Sequence, residues 1–168
     1  MKKEIYLAAG CFWGCQKFFE LIDGIIEVKV GYANGNTQNP TYEQVYTGQT
    51  GFAEAMKVIY DSNKIDLNYV LKQYYYIIDP TTLNKQGPDI GTQYRTGIYY
   101  TNKEDEEVIT QSLKELQKDY TQPIVVENKP LQNFYEAEEY HQNYLDKNPS
   151  GYCHIGQSKF DYAKNLKL

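Results

Sequence analysis

The segment Gly10-Cys11-Phe12-Trp13-Gly14-Cys15 places two thiols four residues apart beside the only tryptophan of the chain. It lies where a short apolar run, Ile5 to Ala9, hands over to a helical pattern. A thiol at a helix N-terminus meets unpaired backbone N–H groups and the positive end of the helix dipole, and both favour the thiolate. The gain matters kinetically, because an unperturbed thiol with a pKa of about 8.5 is only about 3% ionised at pH 7. Gly10 and Gly14 allow a ligand close to the sulfur, and Phe12 with Trp13 offers an apolar wall. By position alone, Cys11 is either a reactive nucleophile or a small buried residue of the kind free cysteine often is. A third thiol, Cys153, stands in Gly151-Tyr152-Cys153-His154-Ile155, and the two histidines are His141 and His154.

The elements that must position these groups alternate between strand and helix signals. Ile5 to Ala9 reads as a buried strand ending at Gly10, and Trp13 to Ile22 as a helix stopped near Gly24. Ile25 to Tyr32 is strand-like and closes on Asn34-Gly35-Asn36, and Ala53 to Tyr60 is a strand in which Met56, Val58 and Tyr60 alternate. Asp66 can cap a helix reaching about Ile78, where Asp79-Pro80 ends it. The polar stretch from Thr81 to Thr92 exceeds the usual loop length, and such loops are commonly functional. Arg95 to Tyr100 reads as a strand, Lys103 to Tyr120 as the most regular helix, Ile124 to Glu127 as a short strand and Glu136 to Leu145 as a last helix. Beyond Asp146, the Asn148-Pro149-Ser150-Gly151 stretch predicts a loosely structured tail. This order fits helices packed on one sheet, in a mixed α/β or α+β sandwich.

Composition narrows the function classes. The 168 residues suit one domain with a sizeable core, and 41% hydrophobic residues with six scattered prolines exclude collagen and wholesale disorder. A net charge of −5 argues against a nucleic-acid surface, whose affinity comes from Lys and Arg on phosphates. No apolar run is long enough to span a membrane, and the Ile5 to Ala9 stretch is too short for a signal peptide. A cytoplasmic location with reduced thiols is therefore expected, and there cysteines are more often catalytic, redox-active or metal-bound than structural.

The residues around Cys11 resemble the signature of the A-type peptide methionine sulfoxide reductases. The resemblance extends through Gly31-Tyr32-Ala33, Gly48-Gln49-Thr50-Gly51-Phe52-Ala53-Glu54, Asp79-Pro80-Thr81, the run from Asn84 to Arg95 and Phe134-Tyr135-Glu136-Ala137-Glu138-Glu139-Tyr140-His141. These blocks span roughly residues 5–156 in family order. The resemblance implies an α+β fold in one catalytic domain, residues 1–168: a two-layer sandwich with helices on a ferredoxin-like mixed sheet, and an irregular tail, 147–168, carrying Cys153. It implies reduction of methionine S-sulfoxide, free or in proteins, to methionine. Cys11 is then the attacking thiolate and Cys153 the thiol that resolves its sulfenic acid to a disulfide. Sulfoxide oxygen is a poor leaving group unless protonated, and Glu54 matches the family's general acid, a carboxyl kept neutral by burial. Tyr32 and Tyr94 match hydroxyl donors to the sulfoxide oxygen, Asp89 the polar side of the pocket, and Phe12 and Trp13 its apolar side. The expected reductant is thioredoxin or a similar dithiol; no metal, organic cofactor, nucleic acid or membrane is expected, and the chain is expected to be a monomer. Two positions depart from the family: Cys15, read as a packed helix residue with a second resolving thiol as the alternative, and Phe52, where many relatives carry histidine.

Other classes remain readable in the same residues. Cys11, Cys15, Cys153 and His154 could form a zinc site, although their spacing crowds tetrahedral geometry. Cys11 with His141 as base would suit a cysteine hydrolase. A dithiol oxidoreductase would need a two-residue spacing that Cys11 and Cys15 lack, and a tyrosine-rich binding module would need no nucleophile.

Overall fold

A computed structural model describes residues 1–151 and 155–166. Its framework is a six-stranded mixed sheet. Strands β1 (Lys2–Ala9), β2 (Ile25–Ala33), β3 (Ala53–Asp61) and β6 (Thr96–Tyr100) form the centre in the order β6-β1-β3-β2, with every neighbour antiparallel. Helix α1 (Phe12–Glu20) connects β1 to β2, and α3 (Leu67–Tyr76) lies between β3 and β6. This βαββαβ arrangement is the ferredoxin-like core expected from the sequence. Helix α4 (Lys103–Gln117) crosses over to β7 (Glu127–Pro130), which pairs parallel with β6. At the other edge β8 (Phe134–Glu136) pairs antiparallel with β2.

Side-chain alternation divides the sheet into two faces. Ile5, Leu7 and Ala9 of β1, Val28 and Val30 of β2 and Met56, Val58 and Tyr60 of β3 join Phe18, Phe19, Val70 and Leu71 of the helices in the main core. Tyr6, Ala8, Ala53, Ala55 and Tyr99 form a smaller cluster on the opposite face, with Leu131 and Phe134 against it. The Tyr74 hydroxyl ties α3 to the sheet, donating to the Ala8 carbonyl at 2.6 Å and accepting from the Gly97 N–H.

The chain departs from the sequence reading after residue 120. The strand expected at Ile124 to Glu127 forms at Glu127–Pro130. The helix expected at Glu136 to Leu145 is replaced by β8, a 3₁₀ turn (Glu139–His141) and the short helix α5 (Tyr144–Lys147). The physical reason is the open edge of β2. Its Val30 N–H donates to Gln142 Oε1 and its Val30 carbonyl accepts from Gln142 Nε2 and the Ala137 N–H, so these residues satisfy strand groups in place of a helical ladder. The tail also contains more structure than expected. Helix α6 (Gln157–Asn165) buries Phe160 and Ala163, and Tyr162 donates to Gln73 Oε1 at 2.9 Å. Cys153 and His154 lie outside the described residues. Helix α2 (Tyr42–Tyr46), not anticipated, starts from a capping box between Thr41 and Gln44.

The polar loop of 81–92 is folded on itself. Strands β4 (Lys85–Gln86) and β5 (Asp89–Ile90) pair as a minimal hairpin. The buried Gln86 amide fixes its base by accepting from the Asp79 N–H and donating to the Asp79 carbonyl and the Thr82 hydroxyl.

Candidate active site

Gly10, with φ of +85°, turns β1 into α1 and leaves Cys11 at the N-cap. Cys11 supplies no side-chain cap hydrogen bond. A carboxylate from another strand takes that place: Glu54 Oε1 accepts from the Phe12 N–H at 3.3 Å. Glu54 is 1% exposed and lies in phase with Met56, Val58 and Tyr60 on the face of β3 that packs under the helices. Burial pushes its pKa up to about 8, the Phe12 N–H opposes the shift and Asp89 adds to it. The position therefore holds a protonated carboxyl at neutral pH. The strand alternation already carried this signal, because extending it by one step towards the N-terminus places Glu54 on the buried face.

Cys11 is buried, and the cost of charging it there outweighs the helix terminus. Burial and the nearby Glu54 push the thiol up, while the Trp13 backbone N–H pulls it down. The helix N-terminus predicts a lowered thiol, and burial reverses that direction in the folded protein. Cys15 packs on the core side of α1, its S–H within 3.3 Å of the Cys11 carbonyl and 3.5 Å of the Ala9 carbonyl.

Three phenols surround this pair in different ways. Tyr32 stands opposite Glu54 in the β2–β3 register, fully buried, with its hydroxyl donated to Glu138 Oε1 at 3.0 Å. Tyr94 follows the β4–β5 hairpin on a 3₁₀ turn, and its hydroxyl is pushed up by burial and by Glu54. Tyr42, at the start of α2, was missed in the sequence. Glu54 and Cys11 both act electrostatically on its hydroxyl, which also interacts with that of Tyr94. Its only prior signal was the Thr41-Gln44 capping box that places it on a first helical turn. Asp89, on β5, is close enough to act on Glu54, Cys11 and Tyr94.

The apolar side is held from behind. The Trp13 indole stacks on Tyr144 with centroids 3.8 Å apart and donates its Nε1–H to His141 Nδ1 at 3.0 Å. This fixes His141 as the Nε2–H tautomer, with Nε2 directed at Glu138 at 3.8 Å. Phe12 lies between Tyr32 and His141, at 5.9 and 5.4 Å. Glu138 collects the hydroxyls of Tyr32 and Tyr140 and the Tyr42 N–H. Burial works against its charge, yet these hydrogen bonds hold its pKa below the usual carboxyl value. The structure thus brings Cys11, Phe12, Trp13, Tyr32, Glu54, Asp89 and Tyr94 together and adds Tyr42. No metal-ligating cluster occurs among the described residues, and no described helix is long and apolar enough to cross a membrane.

A thiol and a neutral carboxyl on adjoining elements, walled by aromatics and phenols, suit a thiol-dependent enzyme that protonates a polar group as sulfur attacks. The profile of the peptide methionine sulfoxide reductase family matches residues 3–167, and the chain belongs to that family. A peptide methionine sulfoxide reductase from Lachnoclostridium phytofermentans is 60% identical over 165 residues, covering 98% of this chain and 99% of the relative. The crystal structure of Mxr1 from Saccharomyces cerevisiae in reduced form aligns with a TM-score of 0.87 at 42% identity, over 90% of this chain and 88% of the yeast one. The same yeast protein in complex with Trx2 aligns with a TM-score of 0.63 at 30% identity, over 85% and 84% of the two chains. The protein is a peptide-methionine (S)-S-oxide reductase.

Proposed function

We propose that Cys11 attacks the sulfoxide sulfur while Glu54 protonates the departing oxygen. The observation that carries this reading is the buried Glu54 carboxyl hydrogen-bonded to the N–H of the residue after Cys11. In the free site both groups hold their protons at neutral pH. Glu54 gives its proton to the sulfoxide oxygen, which makes the sulfur electrophilic, and the resulting carboxylate takes the Cys11 thiol proton. The thiolate then forms where it is consumed. The thiolate bonds to the substrate sulfur, and Glu54 returns the proton so that the oxygen leaves as water. Water then attacks the Cys11 sulfur as Glu54 takes its proton, which breaks the sulfur–sulfur bond, releases methionine and leaves Cys11 as a sulfenic acid, its two-electron oxidation balancing the reduction of the substrate.

Tyr42 and Tyr94 supply hydroxyl hydrogen bonds to the oxygen, and Asp89 lines the polar side. Phe12 and Trp13 enclose the methyl group. Tyr32, whose hydroxyl Glu138 accepts in the free site, turns it to the sulfoxide oxygen when substrate is bound. Cys153 condenses with the sulfenic acid, giving a Cys11–Cys153 disulfide and water. Thioredoxin or a similar dithiol then reduces the disulfide, a reading supported by the yeast relative's complex with Trx2. Residues 1–168 act as one catalytic domain, in the cytoplasm. Single-turnover reduction of a methionine sulfoxide peptide without added reductant tests the assignment. Cys11→Ser yields no methionine and Cys153→Ser about one per enzyme, whereas equal yields from Cys11→Ser and wild type would overturn it.

A further inference from the structure

A continuous row of rings leads from the site to the surface. Tyr46 lies 6.0 Å from Tyr42, Tyr42 lies 4.5 Å from His141, and His141 lies 4.2 Å from Tyr140. The inner two are half-buried and buried, while the ends, Tyr46 and Tyr140, are 60% and 54% exposed. Large exposed aromatics at the edge of a reaction site suit contact with a chain, because a peptide must continue on both sides of an inserted methionine. The row is also acidic. Glu43, exposed on α2 beside Tyr42, acts electrostatically on Tyr140 and His141 and has no ion-pair partner among the described residues. Glu139, adjacent to Tyr140, is exposed and paired at 3.8 Å with Lys147. Aromatic faces next to a carboxylate attract guanidinium and ammonium groups.

We propose that Glu43 and Tyr46, three residues apart on α2, seat a basic side chain next to the methionine sulfoxide of a polypeptide substrate, so that this enzyme prefers Arg or Lys beside its target. The inference rests on the placement of the sulfoxide at Cys11 and deepens that reading into a substrate class. Tyr46 and Glu43 determine specificity and touch no reacting atom.

Two blocked pentapeptides differing only in Arg or Glu beside the methionine sulfoxide test it. At low salt the Arg peptide is expected to show a kcat/KM about fivefold higher, carried mainly by KM and narrowing as salt is raised. In Glu43→Gln and in Tyr46→Ala the ratio is expected to fall to about twofold or less. Equal values for the two peptides in the wild type, or an unchanged ratio in both variants, would overturn the proposal. Failure of the Cys11 reading is distinguishable, because it would appear as turnover by Cys11→Ser with either peptide.

Discussion

Replacing Glu54 by Gln keeps the shape of the side chain and an oxygen to accept the Phe12 N–H, and removes the proton. With a pKa of about 8, the carboxyl is about 90% protonated at pH 7, against about 0.3% at the ordinary value of 4.5. General acid catalysis of this kind contributes on the order of a hundredfold or more, so single-turnover rates for Glu54→Gln should fall by at least about that factor. The reacting form of the wild type holds both the carboxyl and thiol protons, so its rate should be level up to about pH 7 and decline as Glu54 ionises near pH 8. Glu54→Gln should lack that decline.

The same shift fixes a stability signature. A carboxyl raised from 4.5 to about 8 binds its proton more tightly in the folded state. Stability is therefore lost as pH rises from the unfolded pKa towards the folded one. The linkage amounts to about 1 kcal/mol at pH 5 and about 3 kcal/mol at pH 7, levelling near 5 kcal/mol above pH 8. Denaturant unfolding of the wild type and Glu54→Gln at these pH values measures the difference, which should grow in favour of the variant by about 2 kcal/mol between pH 5 and 7. A pH-independent stability difference, or a wild-type rate that climbs through pH 8, would refute the reasoning.

Three other perturbations bear on separate parts of the site. Cys15→Ser should still recycle methionine sulfoxide with thioredoxin, because Cys15 is a packed residue of α1, and should lower stability by about 1 kcal/mol in denaturant unfolding. His141→Ala leaves the Trp13 indole N–H without its acceptor. It should cost about 1 to 3 kcal/mol in stability, raise KM more than it lowers kcat, and shift the emission of this only tryptophan. Burial lowers the His141 pKa, with Glu138 opposing, so its contribution is complete above about pH 6.5 and is lost as pH falls through the folded value; Trp13 emission should stay constant above that pH and change below it.

How much was legible in the sequence depended on which part of the molecule decided each element. β1, α1, β2, β3, α3 and α4 carry their own apolar periodicity, and each forms within a few residues of where that periodicity put it. Residues 124–147 do not, because the edge of β2 decides their conformation through Gln142 and Ala137, and edge capture by a side-chain amide has no sequence period. Helix α6 fully buries only Phe160 and Ala163, with Tyr162 half-buried against the core, too sparse a stripe to read. At the site, the turn at Gly10 left Cys11 open between nucleophile and buried thiol, and the roles of Cys11 and Glu54 came from the family resemblance; the burial of Glu54 agrees with its strand phase. Choosing among the tyrosines is not legible in sequence, since 18 are available and only the fold reveals that Glu138 accepts the Tyr32 hydroxyl and that Glu54 and Cys11 act electrostatically on Tyr42. The direction of the Cys11 shift is not legible, because a helix N-terminus is visible in sequence and desolvation is not.

The most direct test of the central claim is mass analysis of Cys153→Ser after one turnover with a methionine S-sulfoxide peptide and no reductant. The account predicts one added oxygen on the peptide containing Cys11, trapped by a sulfenic-acid reagent and absent when Cys11 is also replaced by Ser. Methionine released with no oxygen gained at Cys11, or with the oxygen found on Cys15, would contradict it.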